Sequence, residues 1–261
     1  MRYLRLYFYF LRFSFSKAME FRLDFFFRIF MDIFFYAIAL LFFKVLYLHT
    51  NLLAGWTEEQ SYIFVAGTLL SDAIMMTVFA NNMWWFPVFV NRGDLDHYLT
   101  KPVSTLFFLS LRDFAANSFV NLIMAAGIFA WAIYRYSLPL SFLQVMFYLV
   151  LILNGAVLYY MFNMMFYFPV FWTGSPRGFG TLYWTMIHSA ERPDRIYSGW
   201  VRRLFVYIIP FCLMVSYPTR LVLEEFDWNI FLHVVLLSLA YWPVYLFFWS
   251  RGLRAYSSAS S

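Results

Sequence analysis

The sequence predicts an all-α membrane protein with six transmembrane helices. Three observations carry that expectation. Only 13% of the residues are charged and 63% are hydrophobic, against roughly 25% charged in soluble domains. Several windows approach or exceed 20 residues with at most one or two charges, enough to cross the hydrocarbon core as helices. The net charge of +5 sits at the ends of these apolar runs instead of forming a nucleic-acid patch.

The elements follow in order. Residues 1–23 predict an interfacial amphipathic helix, with Leu4, Phe8, Leu11 and Phe15 on one side and Arg2, Arg5, Arg12 and Ser16 on another, the pattern of a helix lying among lipid headgroups. The plainer alternative is a basic flank of the first span. That span is placed at 24–48 and contains Asp32, which should face protein or water. The second is placed at 61–85, with Asp72 near its middle and Trp84 and Trp85 at an interfacial belt. A polar stretch, 92–104, follows. Gly93 allows a turn, Asp94 is placed to cap a short helix, and Leu95, Tyr98 and Leu99 share a face. Pro102 stops it. A helix this short has no core of its own and either needs a partner surface or is a polar turn.

The third span is placed at 105–134 and the fourth at 139–172, long enough to tilt and bent by Pro169. Residues 172–203 form the longest polar segment, rich in Gly and Pro. The fifth run, 204–216, is short, about 20 Å as a helix. A re-entrant outer piece is expected at 217–228, where Pro218 breaks a helix, and the last span at 229–250 precedes a tail, 251–261. Six spans put both termini on one side with sixteen of the nineteen Lys and Arg, leaving Lys44, Arg135 and Arg220 opposite. The positive-inside rule then makes the first side cytosolic, in a cell membrane.

Several chemistries find no support. One cysteine, Cys212, leaves no disulfide framework. His49, His97, His188 and His233 lack metal-ligand spacing, so no metal site and no bound cofactor are expected. No P-loop occurs, since Lys17, Lys44 and Lys101 are followed by Ala, Val and Pro. No G-x-S-x-G is present. Within the spans, Asp113, Asn117 and Asn121 recur at i, i+4, i+8, and Asp72 stands with Thr68 and Ser71. These are candidates for a translocation pathway, or they pack helices through hydrogen bonds. Arg112 is expected to snorkel toward a carboxylate. The 25% aromatic content suits lipid-facing packing or a path for an apolar or amphipathic substrate.

Three stretches carry a family resemblance. RGDLDHYLTKPV at 92–103 is similar to the segment "G-E-L-D-x-x-L-x-R-P" of the ABC-2 permeases of ABC transporters, with Asp94 for Glu and Lys101 for Arg. DRIYSGWVRRLFVYIIP at 194–210, continuing to YP at 217–218, resembles "I-Y-x-x-W-x-R … I-P … Y-P". WSRGLRAYSS at 249–258 is like "W-x-x-G-L-R-x-Y-S-S". After Pro218 the stretch TRLVLEE departs from the family's small, Gly-containing one. The resemblance implies an exporting permease without a fused ATPase, paired with a second permease subunit, identical or paralogous. It implies a cytosolic coupling helix carrying Asp94, Leu95, Asp96, Tyr98 and Leu99, docked on a cytosolic ATPase that holds ATP and Mg. The competing readings are a structural or pore-forming membrane subunit and, further off, an intramembrane enzyme built on Asp32, Asp72 and Asp113.

Overall fold

The computed structural model describes residues 2–18, 22–138, 140–175, 177–187 and 192–257. Pro139, Pro176, His188 and Ser258, all within stretches weighed above, lie outside the described residues. Among the described residues the fold is all-helical, with one isolated bridge, Leu53 to Trp56. Five helices are long and apolar enough to cross a membrane: Ile29–Tyr47, Glu58–Val78, Ala116–Arg135, Phe142–Thr173 and Trp228–Ala255.

The amphipathic helix α1 (Arg2–Ala18) and the apolar helix α2 (Arg22–Tyr47) come first. Helix α3 (Glu58–Val78) starts on a capping box, in which Thr57 accepts from the Gln60 N–H and the Gln60 side chain accepts from the Thr57 N–H. It is the central helix. Its best span window is 72% buried, against 11% for α2 and for the last helix. The expected second span does not run straight on. It breaks at Phe79 and resumes as α4 (Ala80–Arg92), which carries Trp84 and Trp85 and ends on Gly93 in the left-handed conformation, φ 79°, where glycine has no steric penalty.

After the short α5 (Leu95–Leu99) and α6 (Thr105–Leu111), a break at 112–115 and a 3₁₀ turn, Ala116–Ser118, lead into α7 (Phe119–Arg135). The third span is therefore two helices. Helix α8 (Phe142–Tyr167) begins on a second capping box, Ser141 with Gln144. Pro169 interrupts it and opens α9 (Val170–Thr173).

Two ends of the bundle are marked by contacts. At one, Asn91 donates to the Gly174 carbonyl at 2.7 Å. At the other, Tyr47 donates to the Trp56 carbonyl at 2.9 Å and Glu59 accepts from the Ser137 N–H at 2.8 Å. Helix α10 (Arg177–Ile187) leaves the Asn91 end. By Arg195 the chain has reached the Trp56 end, where Arg195 pairs with Glu224 at 2.6 Å and Trp56 donates to the same carboxylate at 2.8 Å. The polar segment 172–203 is thus not a loop on one side. It traverses the height of the bundle.

The fifth apolar run is also corrected. Residues 204–216 make no continuous helix. Helix α11 (Gly199–Arg203) passes into a π-helical turn, Leu204–Ile208, then α12 (Phe211–Met214) and α13 (Ser216–Leu223). This is a hairpin that leaves the Trp56 end, enters the bundle and returns to Glu224. Pro218 lies in the first turn of α13, where its missing N–H costs nothing, so it does not break the helix. Asp227 caps α14 (Trp228–Ala255) through the Asn229 and Ile230 N–H groups. The helix runs past 250 to Ala255, back at the Asn91 end.

Candidate functional site

A cavity of about 450 Å³ lies beside α2 and α3. Phe35, Ile38 and Phe42 line it and are also more than half exposed, so it opens at the side of the bundle. Leu69 and Val65 of α3, Tyr159 of α8, and Met214 and Val215 at the turn between α12 and α13 complete its apolar walls. Thr68, Ser71 and Asp72 give it one polar edge, and Arg192 gives it a second charge. Helical spacing explains the edge, since residues 68, 71 and 72 fall on one face of α3.

Asp72 is therefore in the cavity wall. Tyr36 and Asn121 stand behind it. Tyr36 of α2 is buried, 3% exposed, in the neighbourhood of Asn121, Asp72 and Asp32. The buried Ser71 Oγ has no hydrogen-bond partner among the described residues.

Asp113 is elsewhere. It sits in the break before α7, with Asn117 in the 3₁₀ turn and only Asn121 on α7 itself. The i, i+4, i+8 stripe required a continuous helix, and the break removes it. The break is held by residues the sequence reading did not single out. The Asn82 amide accepts from the Asp113 N–H at 2.8 Å and donates to its carbonyl at 2.9 Å. The Ala115 N–H donates to the Thr77 carbonyl, the Thr77 hydroxyl to the Ser118 carbonyl, and the Phe114 N–H to Ser14 of α1. Open backbone at membrane depth survives only when satisfied in this way. The Asp113 carboxylate takes an ion pair from Lys17 at 3.6 Å. The pair Asn81–Asn82 inside an apolar run was the available signal.

At the Asn91 end, α5 departs from expectation in two respects. Asp94 is in the helical region and makes no side-chain cap. Leu95 and Tyr98 are buried within this chain, so they cannot enter a partner's groove. Tyr98 packs on Phe108 with centroids 4.9 Å apart and edge-on to Phe89 at 5.7 Å. Arg112 joins this aromatic cluster instead of a carboxylate, 5.2 Å from the Tyr98 centroid and bonded to its hydroxyl. Asp94, His97 and Leu99 remain exposed, and Asp96 is half-buried. Tyr256, after α14, stands beside Asp96 and Asp94. Burial first, and then those carboxylates, push its pKa up to about 12, so it stays protonated.

The hairpin is anchored by a buried charge. Asp194 has no exposed side-chain surface and binds Arg202 at 2.9 Å and Arg220 at 3.2 Å. Ser216 donates to its other oxygen at 2.8 Å and accepts from its N–H at 3.0 Å. Arg220 continues to Glu224 at 3.5 Å. Two cations and a hydroxyl repay the desolvation of one buried carboxylate.

A multi-pass helical membrane protein with a side-opening, polar-edged cavity is the class these features define. A family model described as "ABC-2 family transporter protein" matches residues 33–260. The chain belongs to the ABC-2 transporter family, and is a membrane permease of an ABC transporter. No curated protein and no solved structure matches it.

Proposed function

We propose that this permease exports its substrate, driven by a separate cytosolic ATPase that holds the ATP and Mg, beside a second permease subunit in the cell membrane. The family supplies the class. The observation that carries the docking is α5, pinned inward by Leu95 and Tyr98 while Asp94, His97 and Leu99 face outward. Both described chain ends lie at that same end of the bundle. Tyr3 of α1 accepts from the Ser104 N–H and packs on Phe107, and Tyr256 stands by Asp96.

Counting α10 as a crossing gives six passages, with the α11–α13 hairpin re-entrant from the outer side. The charge bias then changes. Twelve Lys and Arg fall at the α5 end and six at the other, with Arg192 in the cavity wall. The sign still supports a cytosolic side for α5 and both termini. ATP hydrolysis is assigned to the partner because the chain lacks a P-loop.

The test uses the outward residues. Asp94→Lys with Leu99→Glu should abolish pull-down of the ATPase and uncouple hydrolysis from transport, with membrane insertion intact. Unchanged binding together with unchanged transport would overturn the docking.

A further inference from the structure

We infer that the outward face of α1 holds one anionic phospholipid by its phosphate, between Arg5 and Arg12, and that the bound lipid seats α1 against the segment leading into α7. The structure divides the faces of this helix. Tyr3, Phe10, Ser14 and Lys17 recur at helical spacing and turn inward. Tyr3 accepts from the Ser104 N–H at 3.3 Å, and Phe10 meets Phe108 edge-on with centroids 5.1 Å apart. Ser14 accepts from the Phe114 N–H at 3.1 Å, and Lys17 pairs with Asp113. Arg5, Phe8 and Arg12, at i, i+3 and i+7, fall on the opposite side, and all three are exposed.

Three observations name the occupant. The first is uncompensated charge. Helix α1 contains no Asp or Glu, and neither guanidinium meets a carboxylate among the described residues. Arg5 donates only to the Tyr9 hydroxyl, at 3.5 Å. An anion is the complement, and a choline head would bring a repelled cation with it. The second is the groove. Arg5 and Arg12 line one shallow groove with Leu4, Phe8 and Tyr9, about 10 Å apart along the helix axis. A phosphodiester laid between them has two non-bridging oxygens, one for each guanidinium, an acceptor that arginine suits. The third is the apolar flank. Leu4 and Phe8 are each 67% exposed. A soluble anion leaves them in water, whereas the glycerol and acyl chains of a lipid cover them. Helix α1 ends at Ala18 and the first span opens at Ile29, which keeps the groove near the bilayer. The lipid then acts on the fold, because Ser14 satisfies backbone in the break at 112–115 and Tyr3 does so just before α6.

The test is native mass spectrometry of the purified full chain in neutral maltoside micelles, with palmitoyl-oleoyl phosphatidylglycerol and the matching phosphatidylcholine in equal amounts. Each arginine contributes a factor of about 5, so the parent should retain phosphatidylglycerol at least about tenfold more than phosphatidylcholine. Arg5→Gln with Arg12→Gln should abolish that preference. Arg251→Gln with Arg254→Gln removes the same charge from exposed positions at the same end of the bundle and should leave the preference intact. Phe8→Gln keeps the charge and should weaken retention of phosphatidylglycerol. Added phosphatidylglycerol should raise the melting temperature of the parent but not that of the Arg5 and Arg12 double variant. An equal fall in both double variants would reduce the effect to diffuse charge and overturn the site. Displacement of the lipid by glycerol 3-phosphate would do the same, naming a soluble anion. Unchanged lipid preference with lost ATPase pull-down in the Arg5 and Arg12 double variant would give this face to the partner protein instead.

Discussion

Replacing Gly155 by alanine tests how the hairpin meets the bundle. An ideal Cβ on Gly155 of α8 would lie 2.9 Å from both the carbonyl carbon and the Cα of Met214, with the carbonyl oxygen closer still. Carbon atoms pack at about 3.5–4.0 Å, so α12 would have to retreat by roughly 0.5–1 Å. The obstacle is backbone and cannot rotate away. Overpacking of this kind costs about 1–3 kcal/mol, against a helix-propensity gain of up to about 1 kcal/mol from removing glycine. The net loss is about 1–2 kcal/mol, or roughly 2–8 °C in Tm for a chain of this length. Gly127 of α7 is the control, because an added Cβ there meets nothing within 4 Å and only the propensity gain remains. The assay is thermal unfolding in detergent, followed by tryptophan fluorescence and by recovery of monodisperse protein. Gly155→Ala should melt lower than the parent and Gly127→Ala no lower. A Gly155→Ala protein as stable as the parent would refute the close packing of α8 on the hairpin.

Other outcomes follow from the same contacts. Asp194→Ala leaves Arg202 and Arg220 facing each other without their carboxylate and should cost about 3–5 kcal/mol, read as early unfolding and as new protease cleavage between 199 and 223. Asn82→Leu strips two hydrogen bonds from the Asp113 backbone and should cost about 2 kcal/mol or more, whereas Lys17→Ala, at an ion pair whose lysine is 56% exposed, should cost less than about 1 kcal/mol. A larger effect from Lys17→Ala than from Asn82→Leu would reverse that ranking. With Cys212 replaced, Thr57→Cys and Trp200→Cys should both react with an impermeant thiol reagent on intact cells; reaction of only one would separate the two segments that Arg195 and Glu224 bring together.

How much of this was legible in the sequence depends on the range of the interactions. The long apolar runs were readable because lipid imposes one local rule on every window. The caps at Thr57 and Ser141 are local too, each closed within three residues. The break at 112–115 was not readable, because the groups that satisfy it, Asn82, Thr77 and Ser14, come from 30 to 100 residues away. An apolar stripe also says only that a face is buried, not against what. Leu95 and Tyr98 share a face as expected, but Phe89, Phe108 and Arg112 of the same chain reach it first. Asp72 belongs to a cavity and Asp113 to a backbone break, although both read as carboxylates in apolar runs.

The charge count misplaced 192–203 for a related physical reason. The positive-inside rule weighs a cation by where it stands in sequence and takes no account of its partner. Arg195, Arg202 and Arg220 are held in ion pairs with Glu224 and Asp194, so they contribute to a packed network more than to a free basic flank. That network fixes the base of the hairpin at the Trp56 end, while its tip, Met214 and Val215, reaches the cavity wall. Movement that opens the cavity toward the Trp56 end therefore has two places to occur. One is the base, which would have to expose a buried carboxylate at a cost of several kcal/mol. The other is α2 and the tip, where only apolar contacts part and α2 has few neighbours to leave. The second path is the cheaper, so substrate movement should displace α2 and Met214 while the Asp194 pairs persist. A short reducible thiol cross-linker between Arg195→Cys and Glu224→Cys, at a partly exposed ion pair and with Asp194 left in place, would hold the base closed, and it should leave transport intact. Loss of transport on cross-linking, restored by reduction, would put the moving part at the base instead.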